Sequence, residues 1–133
     1  MDFSTATGAA SLYIGANAII LFALALNVGA RRGQQGQLEP GATGDKVLVR
    51  AIRAHGNFTE YAPVVLLLLV MLATLGAPAD LVHGLGATFT LGRISHVFGM
   101  MQDKHPNAAR FIGNLTTGLV LLAGAAACLW FAH

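Results

Sequence analysis

Four long apolar segments limit what this chain can become. They run from about Ala9 to Ala30, from near Asp45 to about Leu75 (fully apolar from Tyr61 onward), from about Ala79 to Met101, and from about Ala108 to Phe131. At ~1.5 Å rise per residue, each can cover a ~30 Å hydrocarbon core as an α-helix. Soluble domains carry about 25% charged residues, whereas this 133-residue chain carries 11% and is 55% hydrophobic. The expected fold class is an all-α membrane protein, a bundle of four transmembrane helices forming one domain over residues 1–133. The same composition excludes a disordered or nucleic-acid-binding chain. Cys128 is the only cysteine, so no internal disulfide forms, and its apolar surroundings make it a packing residue. Asp2 and the lack of Lys or Arg before the first apolar run argue against a cleaved signal peptide.

Polar residues interrupt this pattern in a regular way. Arg50, Arg53, Asn57 and Glu60 are spaced three, four and three apart, so at ~3.6 residues per turn they form one stripe on a helix. The run Val64–Ala73 follows directly and is wholly apolar. The second segment, ~45 Å long from Asp45, projects beyond the membrane, with the stripe on the projecting part and at the boundary. Ionisable groups there are a functional-site hypothesis by default. Pro63, inside the same segment, is expected to kink it.

The basic residues orient the bundle. Arg31, Arg32, Lys46, Arg50 and Arg53 surround the first loop and Lys104 and Arg110 the third, while the second loop and both termini have none. The positive-inside rule then places loops one and three in the cytoplasm and both termini outside, with the polar stripe opening toward the cytoplasm. Arg32 and Lys46 read as anchors for anionic lipid. Gly84, Gly86, Gly92 and Gly99 in the third segment, and Gly113, Gly118 and Gly124 in the fourth, are expected to let helices approach closely.

The third segment adds Arg93, Ser95 and His96. An Arg93–Glu60 ion pair is the simplest internal account of the deepest charge, but it leaves Arg50 and Arg53 with no carboxylate. Arginine clusters bind carboxylates through charge-assisted, often bidentate hydrogen bonds, Asn57 can donate and accept, and Glu60 can pair with an amine. A surplus of guanidinium beside one carboxylate therefore points to a zwitterionic ligand, an amino acid or peptide. His55 lies off the stripe and reads as an interfacial hydrogen-bonding residue. No Cys/His cluster has metal spacing, so no metal site is expected.

The run Arg53-Ala-His-Gly-Asn57-Phe-Thr-Glu60-Tyr61-Ala-Pro63 resembles the RAxxNxxEYxP signature of the MAPEG family, the membrane-associated proteins in eicosanoid and glutathione metabolism. Ala30-Arg31-Arg32 resembles its leukotriene C4 synthase branch, and Arg93-Ile-Ser-His96-Val-Phe-Gly99 its third-helix motif. The resemblance covers the whole chain and is closest to bacterial members. It implies a homotrimer in the bacterial inner membrane, with glutathione as cosubstrate bound between subunits near the cytoplasmic face. By resemblance, Arg53, Asn57, Glu60, Tyr61 and His96 contact glutathione, with Arg31 from an adjacent subunit. Arg50 and Arg93 join that set on the charge argument. Arg110 is the expected catalytic residue, stabilising the thiolate for attack on a lipophilic electrophile or lipid hydroperoxide. Two features depart from the eicosanoid-synthesising pattern: Met100 stands where those members have Tyr, and the turn before Arg110 differs. The other classes consistent with the sequence are a non-catalytic glutathione-binding or scaffold protein and a small four-helix transporter. The transporter group relies on an acid in its first helix, which this chain lacks.

Overall fold

The computed structural model describes residues 2–34, 45–103 and 106–133. It contains four helices: α1 (Ala6–Gln34), α2 (Lys46–Thr74), α3 (Ala79–Met101) and α4 (Ala108–Phe131). The helix boundaries follow local chemistry. Thr5 Oγ1 accepts from the Gly8 N–H at the start of α1, Asp45 caps α2 through Leu48 N–H, and Asn107 caps α4 through Arg110 N–H, each satisfying a donor that the first helical turn leaves free. Ahead of α1, hydrogen bonds from the Ser4 hydroxyl and N–H hold the Asp2 carboxyl below the usual carboxylate range. The tight turn between α2 and α3 places Gly76 at φ 78°, a backbone state that favours glycine. Pro63 lies within α2, which continues through it. Most of the Gly/Gln-rich first loop, and Lys104 of the third, lie outside the described residues.

α2 and α3 form the centre. Each packs against the other and against both α1 and α4, while α1 and α4 do not touch. The α2 core face is Leu48, Ala51, Ala54, Phe58, Ala62, Val65, Leu69 and Leu72. The polar residues Arg50, Arg53 and Asn57 each precede a core residue by one position, so the stripe lies about 100° around the helix from the core, on its flank. The core also takes in Val82, Leu85 and Phe89 of α3 and Val120 of α4.

α1, α2 and α4 are each long and apolar enough to cross a membrane. α3, at 23 residues, is long enough but lacks so apolar a stretch, and it packs against each of the other three helices. Bulky apolar side chains such as Ile19, Phe22, Leu67, Leu91, Phe98, Leu122 and Trp130 point outward. In water that surface would be an unstable patch; in a bilayer it is the required exterior. The protein is an integral membrane protein.

Glycine sets the contact between α3 and α4. A Cβ on Gly113 would lie 2.5 Å from both the Gly92 carbonyl oxygen and His96 Cβ, and one on Gly99 would collide with the Arg110 backbone. Gly84 and Gly118 behave differently from the sequence expectation, because each faces open space and mediates no close approach within this chain. Gly113→Ala should therefore destabilise the bundle by about 1–3 kcal/mol, since backbone must move to admit the methyl. Gly118→Ala should be neutral or stabilise by up to about 1 kcal/mol through helix propensity. Thermal unfolding of the two variants in detergent checks the contrast, and equal shifts would contradict it.

Candidate functional site

Arg93 is the deepest charge, with 1% of its surface exposed. Its Nη1 donates to Asn57 Oδ1 at 2.8 Å and its Nη2 to the Gly113 carbonyl at 3.0 Å, so one guanidinium joins α2, α3 and α4. The rings of Tyr61 and Phe89 lie 5.7 and 5.8 Å from its centre, within range of cation–π attraction. Arg93 does not pair with Glu60, which corrects the simplest sequence account. Its partners are neutral oxygens, and its Nε has no partner.

Beside this junction a cleft of about 250 Å³ opens among three helices, lined by Arg53, Gly56, Asn57 and Glu60 of α2, His96 and Met100 of α3, and Arg110 and Asn114 of α4. The side chains of Arg53, Glu60, His96 and Arg110 form no hydrogen bond or ion pair within the described residues. The ion pair seen among those residues lies elsewhere, between Arg50 and Asp103 at 2.6 Å. Arg50 also approaches the Met101 carbonyl at 3.5 Å.

Asn107 secures the position of Arg110. Its Nδ2 donates to the Gly99 carbonyl at 2.8 Å while its Oδ1 caps α4 at Arg110 N–H. Ser95 Oγ adds a bond to the Ala109 carbonyl at 2.9 Å. The two helix ends are thus locked in register, and Arg110 reaches the same cleft as His96.

The structure brings together five of the residues predicted from sequence: Arg53, Asn57, Glu60, His96 and Arg110. Arg93 stands behind Asn57 rather than in the cleft, and Arg50 is engaged by the turn after α3. Tyr61 is 37% exposed on the next face of α2, beside Arg93. Arg31 is at the far end of α1, where its Nε meets Asn27 Oδ1 at 3.3 Å, and does not line the cleft. Sequence reasoning missed Gly56 and Asn114. Asn114 was detectable, since it lies one turn beyond Arg110 on the same face.

An apolar groove of about 390 Å³ adjoins the cleft along α4, formed by Phe111, Leu115, Gly118, Leu119 and Leu122, with Asn114 common to both. The site thus combines a charged pocket at one end of the bundle with an apolar track running along the membrane face.

A four-helix membrane bundle with this polar site defines a class, and comparison with known proteins gives the family. A profile of the MAPEG family matches residues 10–130. The chain is similar to "Inner membrane protein YecN" of Escherichia coli strain K12, with 31% identity over 91% of this chain and 90% of the relative. It is also similar to "Uncharacterized protein sll1147" of Synechocystis, with 29% identity over 84% of this chain and 82% of that protein. No solved structure gives a significant match. The chain belongs to the MAPEG family.

Because the Arg53, Glu60 and Arg110 side chains hold nothing together among the described residues, their removal should cost little stability. Arg53→Ala, Glu60→Gln and Arg110→Ala should each unfold within about 0.5 kcal/mol of the wild type. Arg50→Ala should lose less than about 1 kcal/mol, because Asp103 is 95% exposed and such pairs are screened by water. Thermal unfolding in detergent measures all four. A loss of several kcal/mol at Arg53 or Glu60 would show a structural network instead of a ligand site.

Proposed function

We propose that this protein binds glutathione in the cleft and uses its thiol against lipophilic electrophiles or lipid hydroperoxides, as a membrane glutathione transferase. The observation that carries this reading is that Arg53, Glu60, His96 and Arg110, unpaired among the described residues, converge on one cleft with the Asn57 amide. Cations beside a single carboxylate suit a ligand with carboxylates and an ammonium group, and glutathione has two carboxylates and one ammonium. Family membership supports the same ligand.

The bundle alone gives an incomplete pocket. Ligand sites commonly enclose ~300–1,000 Å³, and this cleft of about 250 Å³ is open on one side. A homotrimer would close it and is the route by which Arg31 of a neighbouring subunit would reach the ligand. The basic residues favour an inner-membrane orientation with both termini outside and the cleft toward the cytoplasm.

In the proposed chemistry Arg110 stabilises the thiolate. A free thiol has a pKa near ~8.5, so a fixed cation beside the sulfur raises the reactive fraction at neutral pH. In conjugation the thiolate sulfur bonds to the electrophilic carbon, the leaving group departs with its electron pair, and the thiol proton passes to water. The apolar groove beside Asn114 would deliver the lipophilic partner from the bilayer.

Met100 favours a second reading. It lines the cleft and has no proton to donate to the sulfur or to a leaving group, which suits a glutathione-binding protein with little catalysis. The two readings separate by experiment. Glutathione should bind the detergent-solubilised protein, and Glu60→Gln or Arg53→Ala should weaken it by roughly 10- to 150-fold, the loss of one charge-assisted contact. Unchanged affinity in both variants would remove the ligand. If the protein is an enzyme, Arg110→Ala should lower turnover ~10²–10³-fold with a smaller effect on affinity, and should raise the bound thiol's pKa as read by thiolate ultraviolet absorbance. Glutathione binding with no conjugation of a generic aryl halide would favour the non-catalytic reading.

A further inference from the structure

The Asn57 amide could face the cleft in either of two ways, and the choice decides what the cleft recognises there. Arg93 fixes it. A guanidinium has donors and no acceptor, so the Asn57 atom 2.8 Å from Arg93 Nη1 must be the carbonyl oxygen. The Nδ2 amine is left on the other side. It makes no hydrogen bond within the described residues, and Asn57 lines the cleft. Arg93 is itself held from behind by the Gly113 carbonyl, which also accepts from Thr117 Oγ1 at 2.8 Å. The fork of the guanidinium spans two helices, which a lysine's single ammonium could not reproduce.

We propose that Arg93 is a positioning residue for ligand recognition: it turns the Asn57 amide with its donor outward, so that the cleft reads a carboxylate at this point and disfavours a ligand that presents a donor there. Arg93 itself never touches the ligand. The inference deepens the glutathione reading and rests on it for the choice of probe, while the Arg93–Asn57 coupling can be measured without any ligand.

Asn57→Asp tests it by separating stability from recognition. An aspartate oxygen can take the place of Oδ1 against Arg93 and gives the buried cation the carboxylate it lacks, so the melting temperature should rise. The second oxygen then faces the cleft as an acceptor. Titration calorimetry would use glutathione and its two monoamides, in each of which one carboxylate is a primary amide. The wild type should bind one monoamide ~10-fold or more weakly than glutathione, the loss expected for a charge-assisted contact. In Asn57→Asp that penalty should shrink to about threefold or less, while the penalty for the other monoamide stays as it was.

Melting temperatures of Asn57→Asp in the wild type and in an Arg93→Met background complete a cycle. The stabilisation should vanish without Arg93. Arg93→Lys is the background if Arg93→Met does not fold, and it should give a smaller stabilisation. Equal monoamide penalties in wild type and Asn57→Asp would overturn the proposal, as would a stability gain that persists without the guanidinium. A wild type that binds none of the three peptides would overturn the glutathione reading and the specificity with it, while the melting cycle would still decide whether Arg93 holds Asn57.

Discussion

The rest of the bundle is arranged around a buried cation that has no carboxylate. A charge inside the membrane-spanning part of a protein is costly unless its hydrogen bonds are met, and Arg93 meets that cost with oxygens from two other helices. This dictates the packing around it. Gly113 must be glycine for its carbonyl and the α3 backbone to come so close, and Asn57 must stand one position from the α2 core for its amide to reach inward. The attraction is made of dipoles and aromatic faces, with no carboxylate among Arg93's contacts in the described residues. The positive potential therefore extends toward the cleft beside it, where Arg53 and Arg110 add to it. An anion is the complement that such a cleft favours.

A second polar contact holds the opposite side of the bundle. Asn17, 1% exposed, donates to Thr90 Oγ1 at 2.8 Å, and Tyr13 bonds His83 at 3.0 Å, so α1 is attached to α3 as α4 is. In lipid the apolar exterior provides little drive for helices to associate, and close packing with interhelical hydrogen bonds takes that role. α3 is the helix that carries these groups, and it packs against each of the other three while lacking the continuous apolar stretch that they have.

Much of this was legible in the sequence because membrane segments obey strict length and composition limits. The bounds of α3 and α4 follow from apolar runs ended by Pro-containing turns, and the Arg53–Asn57–Glu60 stripe follows from helical periodicity alone. Partner choice was not legible. The sequence places Arg93 deep in its helix but does not show whether the nearest oxygen belongs to Glu60 or Asn57, because that depends on how α2 and α3 rotate about their axes. Arg50 shares the stripe's angle, yet it sits a turn further out, where Asp103 of the next connection reaches it. Arg110 depended on the register of α4, which one side chain, Asn107, sets by bonding both to α4's first turn and to the end of α3. Among the glycines, composition marks candidates for close contact, but only rotation decides that Gly113 meets a helix and Gly118 meets open space.

The polar residues thus divide into two populations with different physical roles. Arg93, Asn17, Ser95 and Asn107 are bonded within the chain and fix helix positions, while Arg53, Glu60, His96 and Arg110 line a cleft with their side chains unbonded among the described residues. Neighbouring opposite charges on a surface often find each other, and Arg53 and Glu60 lie seven residues apart on one helix face, about two turns, too far for the direct contact available at three or four residues. Asn57 lies between them and is turned by Arg93 so that it offers only donors to the cleft. The spacing keeps the Arg53 cation and the Glu60 carboxylate from meeting along their own helix.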